Sequence, residues 1–150
     1  MIQRLLPPRI DNTYDGPRLA FWLLGFLVLS KGFMGLNCIF NGRYVATTAD
    51  GIPLDVYDPV GAGAVLSFFA LWGLSQVTLS LLGTLTLIRY RSAIPAMFAL
   101  FAFEHLSRKG ILWMLPIEKV GSPSGTYVNL GLLAVMIMGL GVSLGRRRKP

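Results

Sequence analysis

The chain has 150 residues, 53% of them hydrophobic and 14% charged, with a formal net charge of +7. Soluble domains carry about 25% charged residues, so the composition excludes an ordinary water-soluble fold and predicts a single membrane-embedded unit. The lone cysteine, Cys38, excludes an intrachain disulfide, a CxxC redox pair and a thiolate zinc cluster. The basic surplus flanks apolar spans, which assigns it to topology and argues against nucleic acid as a partner.

Residues 1–17 form a polar cytoplasmic leader containing Arg4, Pro7, Pro8, Arg9, Gly16 and Pro17. The apolar run 18–40 follows three arginines but is too long for a signal-peptide core and lacks an A-x-A-like cleavage site. It is therefore a retained first helix. Gly35-Leu36-Asn37-Cys38 has the outline of a lipoprotein cleavage site, yet Asn37 stands where a small residue is required. Residues 41–59 are a loop, marked by Asn41-Gly42, Asp50-Gly51, Pro53 and Asp58-Pro59. A second helix is predicted over 60–88, followed by the basic turn Arg89-Tyr90-Arg91. A third runs over 93–115 and stops at Pro116. After a loop with Gly121, Pro123 and Gly125, a fourth covers 126–144. The segment 146–150 is a basic tail whose Arg146, Arg147, Arg148 and Lys149 suit anionic headgroups or a docking partner.

Each span approaches or exceeds the ~20 residues that cross a bilayer. The expected fold is all-α, a transmembrane four-helix bundle over 18–145. The third span is the most polar, with Glu104, His105, Arg108 and Lys109. Nine of the 14 Lys and Arg residues (Arg4, Arg9, Arg18, Arg89, Arg91, Arg146, Arg147, Arg148, Lys149) lie in the leader and its junction with the first helix, the middle turn and the tail. Four helices place those segments on one side, and the positive-inside rule makes that side cytoplasmic. Both termini then face the cytoplasm of a bacterial inner membrane.

Three polar side chains interrupt the apolar spans at matched positions. Lys31 lies 13 residues after Arg18, Gln76 lies 13 before Arg89, and Glu104 lies 13 after Arg91. At 1.5 Å per residue all three sit ~20 Å from the basic face. Ionisable groups at such depth are paired or functional. The expectation is a Lys31–Glu104 ion pair with Gln76 as hydrogen-bond partner, acting as a structural clasp or as a proton-linked or ligand site. Arg108, four residues beyond Glu104, joins this layer as a competing partner.

Small residues form stripes suited to close helix contact in lipid. Gly73, Gln76, Ser80, Gly83 and Thr84 share a sector about 100° wide. Gly131, Ala134, Met138, Gly141 and Gly145 do the same on the fourth helix, and Gly25, Gly32 and Gly35 on the first. His105, the single histidine, is a candidate cofactor contact or an interfacial side chain near the outer surface. With no second ligand in sight, no metal is assigned to it. Trp22, Trp72 and Trp113, with Tyr44, Tyr57, Tyr90 and Tyr127, read as an interfacial aromatic belt. There is no glycine-rich phosphate loop, HExxH or Ser/His/Asp set, so no catalytic residue is assigned.

Ala49-Asp50-Gly51, the Asp58-Pro59-Val60-Gly61 entry into a glycine-bearing helix, the Arg89/Arg91 turn and a third helix with a polar outer end together resemble the small DoxX-like four-helix membrane proteins of bacteria. That resemblance implies a link to quinone-dependent redox chemistry or to membrane redox complexes. No motif demands a cofactor; a quinone, or a tetrapyrrole at His105, are those the pattern admits. The first expectation for function is a non-catalytic accessory or assembly subunit of a larger respiratory or photosynthetic membrane complex, with the bilayer, its anionic lipids and other membrane subunits as partners. The second is a DoxX-like quinone or small-ligand binder using Lys31, Gln76 and Glu104. The third is a small proton-coupled transporter.

Overall fold

The computed structural model describes residues 5, 7, 9–121 and 123–145. The expectations for Arg4 and for the tail residues Arg146, Arg147, Arg148 and Lys149 lie outside the described residues. Every regular element within them is helical. Four long helices dominate: α1 (Arg18–Phe40), α2 (Pro59–Arg89), α3 (Ile94–Met114) and α4 (Ser124–Ser143).

Local chemistry sets the helix starts. The Asp58 side chain accepts from the Gly61 backbone N–H and Pro59 follows at the first helical position, so α2 begins with one orphan donor capped and another removed. Pro95, the second residue of α3, likewise removes an orphan donor, but α3 has no side-chain cap. At about 46 Å, the 31-residue α2 outreaches a ~30 Å hydrocarbon core.

Contacts between residues fix the directions. Gly35 meets Gly73 while Gly32 meets Ser80, so α1 and α2 run antiparallel. Phe101 reaches Gly83 whereas Arg108 lies over Trp72, so α3 runs antiparallel to α2 and parallel to α1. Phe98 packs on Gly139, and Leu112 and Asn129 line one cavity, which makes α4 antiparallel to α3. The main core joins Leu24 and Leu27 of α1, Phe98 and Phe101 of α3 and Met136 of α4. The leader folds over the basic end: the Asp11 backbone N–H donates to Ser92 Oγ at 2.9 Å, and Ser92 Oγ donates to the Asp11 carbonyl at 3.0 Å.

Three helices have the length and apolarity to cross a membrane: α1, α2 and α4, with mean hydropathies of 1.8, 1.7 and 1.7 over their most apolar windows. Their outward surface is unlike that of a soluble protein. Trp22, Leu29, Phe33, Phe68 and Phe103 are all at least 70% exposed, and large contiguous apolar patches mark contact with lipid or protein. α3 carries Glu104, Arg108 and Lys109 and is the polar exception.

The segment after α1 is more regular than its turn signals predict. It winds on through a helical turn at Gly42–Tyr44, a π-helical turn at Val45–Ala49 and a 3₁₀ turn at Leu54–Val56. Burial is the reason: Ala46, Ile52 and Leu54 form a small second core against Val65, Leu66 and Phe69 of α2. Gly51, at φ +68°, reverses the chain, and its carbonyl accepts from the Val120 N–H at 2.8 Å, tying the two loops of this end together.

Close helix approach falls on α1 and α2. A Cβ added to Gly35 would lie 2.6 Å from the Gly73 carbonyl oxygen, and one on Gly73 would lie 2.7 Å from the Gly35 carbonyl oxygen. Ser80 Oγ donates to the Val28 carbonyl at 2.8 Å, and Gly83 receives Val28 and the Phe101 ring. The stripe expected on α4 is corrected. Gly131 and Gly141 have nothing within 4 Å of an added Cβ, and Gly145 meets only its own turn and Pro17. α4 instead buries Leu132, Met136, Gly139 and Ser143, because the Phe98 ring needs the space that a side chain at Gly139 would fill. Gly35→Ala or Gly73→Ala should lose about 1–3 kcal/mol, the cost of overpacking. Gly131→Ala and Gly141→Ala should change stability by less than about 0.5 kcal/mol. Thermal unfolding in mild detergent distinguishes the two pairs.

Candidate functional site

Lys31, Gln76 and Glu104 come together as a closed ring. Lys31 Nζ donates to Gln76 Oε1 at 2.7 Å and to Glu104 Oε2 at 2.8 Å, and Gln76 Nε2 donates to Glu104 Oε1 at 2.9 Å. Each residue binds the other two, and each comes from a different helix. Lys31 and Gln76 are both 3% exposed. The Lys31 ammonium also lies 5.1 Å from the centre of the Phe101 ring, a cation–π distance. The ring clasps α1, α2 and α3 together through side-chain hydrogen bonds.

Arg108 is not in this layer, which corrects its expected pairing with Glu104. It lies one turn, about 6 Å, further from the basic end. There its guanidinium sits 4.8 Å from the Trp72 ring centre, and Nη2 lies 3.1 Å from His105 Nδ1. The Glu104 carboxylate is already satisfied by Lys31 and Gln76, and the indole face offers the guanidinium a second site.

His105 is corrected as well. It is no interfacial side chain but is 1% exposed. Arginine has no acceptor atom, so in the Arg108–His105 contact Nδ1 must accept. The imidazole is therefore neutral, with its proton on Nε2. That Nε2–H is buried and has no hydrogen-bond partner among the described residues, and the same is true of Trp72 Nε1–H. His105 lacks neighbouring ligands: no group of three His, Cys, Asp or Glu is close enough among the described residues to hold a metal.

Both orphan donors belong to residues that line one cavity of about 540 Å³ at the loop end of the molecule. Buried positions on α3 end at His105, and Leu106 and the positions from Lys109 to Met114 are exposed. α2 contributes Phe69 and Trp72, α3 contributes His105, Arg108 and Lys109, and the loops contribute Asp50 and Lys119. Trp72, expected in the aromatic belt, and Asp50, expected only as a turn residue, are the site residues that sequence reasoning missed. A signal was present. Trp72 lies four residues from Gln76 and Arg108 four from Glu104, so pairing Gln76 with Glu104 brings the next turn of each helix together as well.

Burial raises the Asp50 carboxyl above its usual 3.8, against the opposing pull of Lys119 and Arg108. Cys38 is buried. No family model, curated protein or solved structure matches the chain.

The clasp and the Asp50 carboxyl are separately testable. Lys31→Met leaves Glu104 charged and unpaired and should cost about 3–5 kcal/mol. The triple change Lys31→Met, Gln76→Leu, Glu104→Met removes every charge and should recover most of that loss. A triple variant no more stable than the single one in detergent unfolding would contradict the clasp. For Asp50, the folded state holds its proton to higher pH than the unfolded state. The cost of keeping it charged is absent below about pH 3.8 and complete above the raised value. Asp50→Asn should thus raise Tm at pH 7, with the gain shrinking to nothing as pH falls to about 3.8, read from a Tm–pH series.

Proposed function

We propose that the chain is a four-span integral membrane protein of a bacterial inner membrane, with both ends cytoplasmic, that binds a small amphipathic molecule in the cavity near its outer end. The observation that carries this reading is one cavity whose mainly apolar wall also carries the side chains of Arg108, Lys109, Lys119 and Asp50. A cavity of about 540 Å³ is in the range of small-molecule sites, which are largely apolar with a few placed polar groups. The orientation rests on Arg18, Arg89 and Arg91 at one end and Asp50, Asp55 and Asp58 at the other. The third span, α3, is polar along its outer half because that half borders the cavity.

In this reading Lys31, Gln76 and Glu104 hold the helices and the next turn outward does the binding. The likeness to DoxX-like proteins is part of the same proposal and rests on its turn and helix-entry residues alone.

A second reading, an accessory subunit of a larger membrane complex, is favoured by one observation. Gly131, Ala134, Met138 and Gly141 make an exposed row on α4, and among the described residues nothing lies within 4 Å of a Cβ added at Gly131 or Gly141. Small residues of this kind mediate helix contact in lipid. The transporter reading has no observation of its own, since the clasp and the Phe98–Phe101 core fill the section between the cavity and the basic end.

Native mass spectrometry after gentle extraction from native membranes tests both readings. The binder predicts a protein carrying a small-molecule adduct that is lost in Trp72→Ala. Co-migration with a large assembly that is lost in Gly131→Leu would favour the subunit.

A further inference from the structure

Within the binding reading proposed above, on which this inference rests, the charges of the lining also specify the ligand's polar end. Arg108, Lys109 and Lys119 contribute three donor-only, positively charged groups. Against them stands one carboxylate, Asp50, from the turn before Gly51. Asn129 and Thr126 of α4, which both donate and accept, complete the polar wall. The rest is apolar: Ile52, Phe69, Leu112, Trp113 and Ile117.

We infer that the cavity takes an amphiphile whose head is an anionic, acceptor-only group, a carboxylate or a phosphate ester. The Arg108 guanidinium binds its oxygens, with the charges of Lys109 and Lys119 beside it, and the tail lies among Phe69, Leu112 and Trp113. An uncharged carbonyl would leave three cations facing one carboxylate, whereas an anion balances the charge and forms charge-assisted bonds, roughly twice as strong as neutral ones. Arg108 is already oriented, held between the Trp72 face and His105 Nδ1, so little side-chain freedom is lost on binding.

The test uses full-length protein in mild detergent with Trp22→Phe, so that the remaining indoles, Trp72 and Trp113, both line the cavity. Dibrominated stearate, its methyl ester and inorganic phosphate are the probes, read by bromine quenching of tryptophan fluorescence. Saturable quenching by the acid, at least about tenfold tighter than by the ester, is the expected result. Arg108→Gln should bring the acid to the affinity of the ester, and Asp50→Asn, which removes the single opposing charge, should tighten it. Displacement of the acid by phosphate would make a soluble anion a sufficient ligand, whereas no displacement would assign a lipid. Equal affinity for acid and ester, or weaker acid binding in Asp50→Asn, would overturn the anionic head and leave the binding reading intact. Absence of saturable quenching by either probe, together with no adduct in the mass spectrum, would overturn the binding reading itself.

Discussion

Three helices converge on the ammonium group of Lys31, and the rest of the structure depends on how that charge is satisfied. A cation placed ~20 Å from the basic end of an apolar helix must find oxygens or leave the core. It finds Gln76 on α2 and Glu104 on α3. Because Gln76 also donates to Glu104, α2 and α3 are bound to each other as well as to α1. The ring needs its three side chains at one depth on three helices, and burying two charges costs about as much as their attraction returns.

That layer borders the site. On either side of the clasp the helices behave differently. Toward the basic end α3 lies tight in the core through Phe98 and Phe101, with Gly83 and Gly139 giving up side-chain volume to let the rings in. Toward the loop end its buried face stops at His105, and most positions beyond it are exposed. The first turn past the clasp is therefore where protected polar groups and open space coexist. Trp72, His105 and Arg108 meet there because they stand one residue or one turn from Gln76 and Glu104. The clasp sets the depth of these residues, and the loops at this end are tied to each other through the Val120 N–H and the Gly51 carbonyl.

The surface follows the same logic. α1 and α2 spend their glycines on each other, at Gly35 and Gly73, where the two backbones approach too closely for any side chain. α4 uses Gly139 to receive an aromatic ring and leaves Gly131 and Gly141 facing outward. A small residue in a membrane helix thus serves two opposite purposes, internal contact or a bare outer surface, and identical spacing encodes both.

The sequence by itself determined the helical class, the apolar character of α1, α2 and α4 and the equal offsets of Lys31, Gln76 and Glu104 from their arginines. Those properties are local or periodic: hydropathy, turn residues such as Asp58-Pro59, and rise per residue act along one helix at a time. Only the tertiary structure decided that Arg108 turns away from Glu104, that His105 is buried with Nε2 as a donor, and that Trp72 and Asp50 border a cavity. It also decided which α4 stripe packs inward. These facts depend on rotation about each helix axis and on where α3 leaves the core. In lipid, inward and outward faces have similar composition, so the chain carries no one-dimensional record of either.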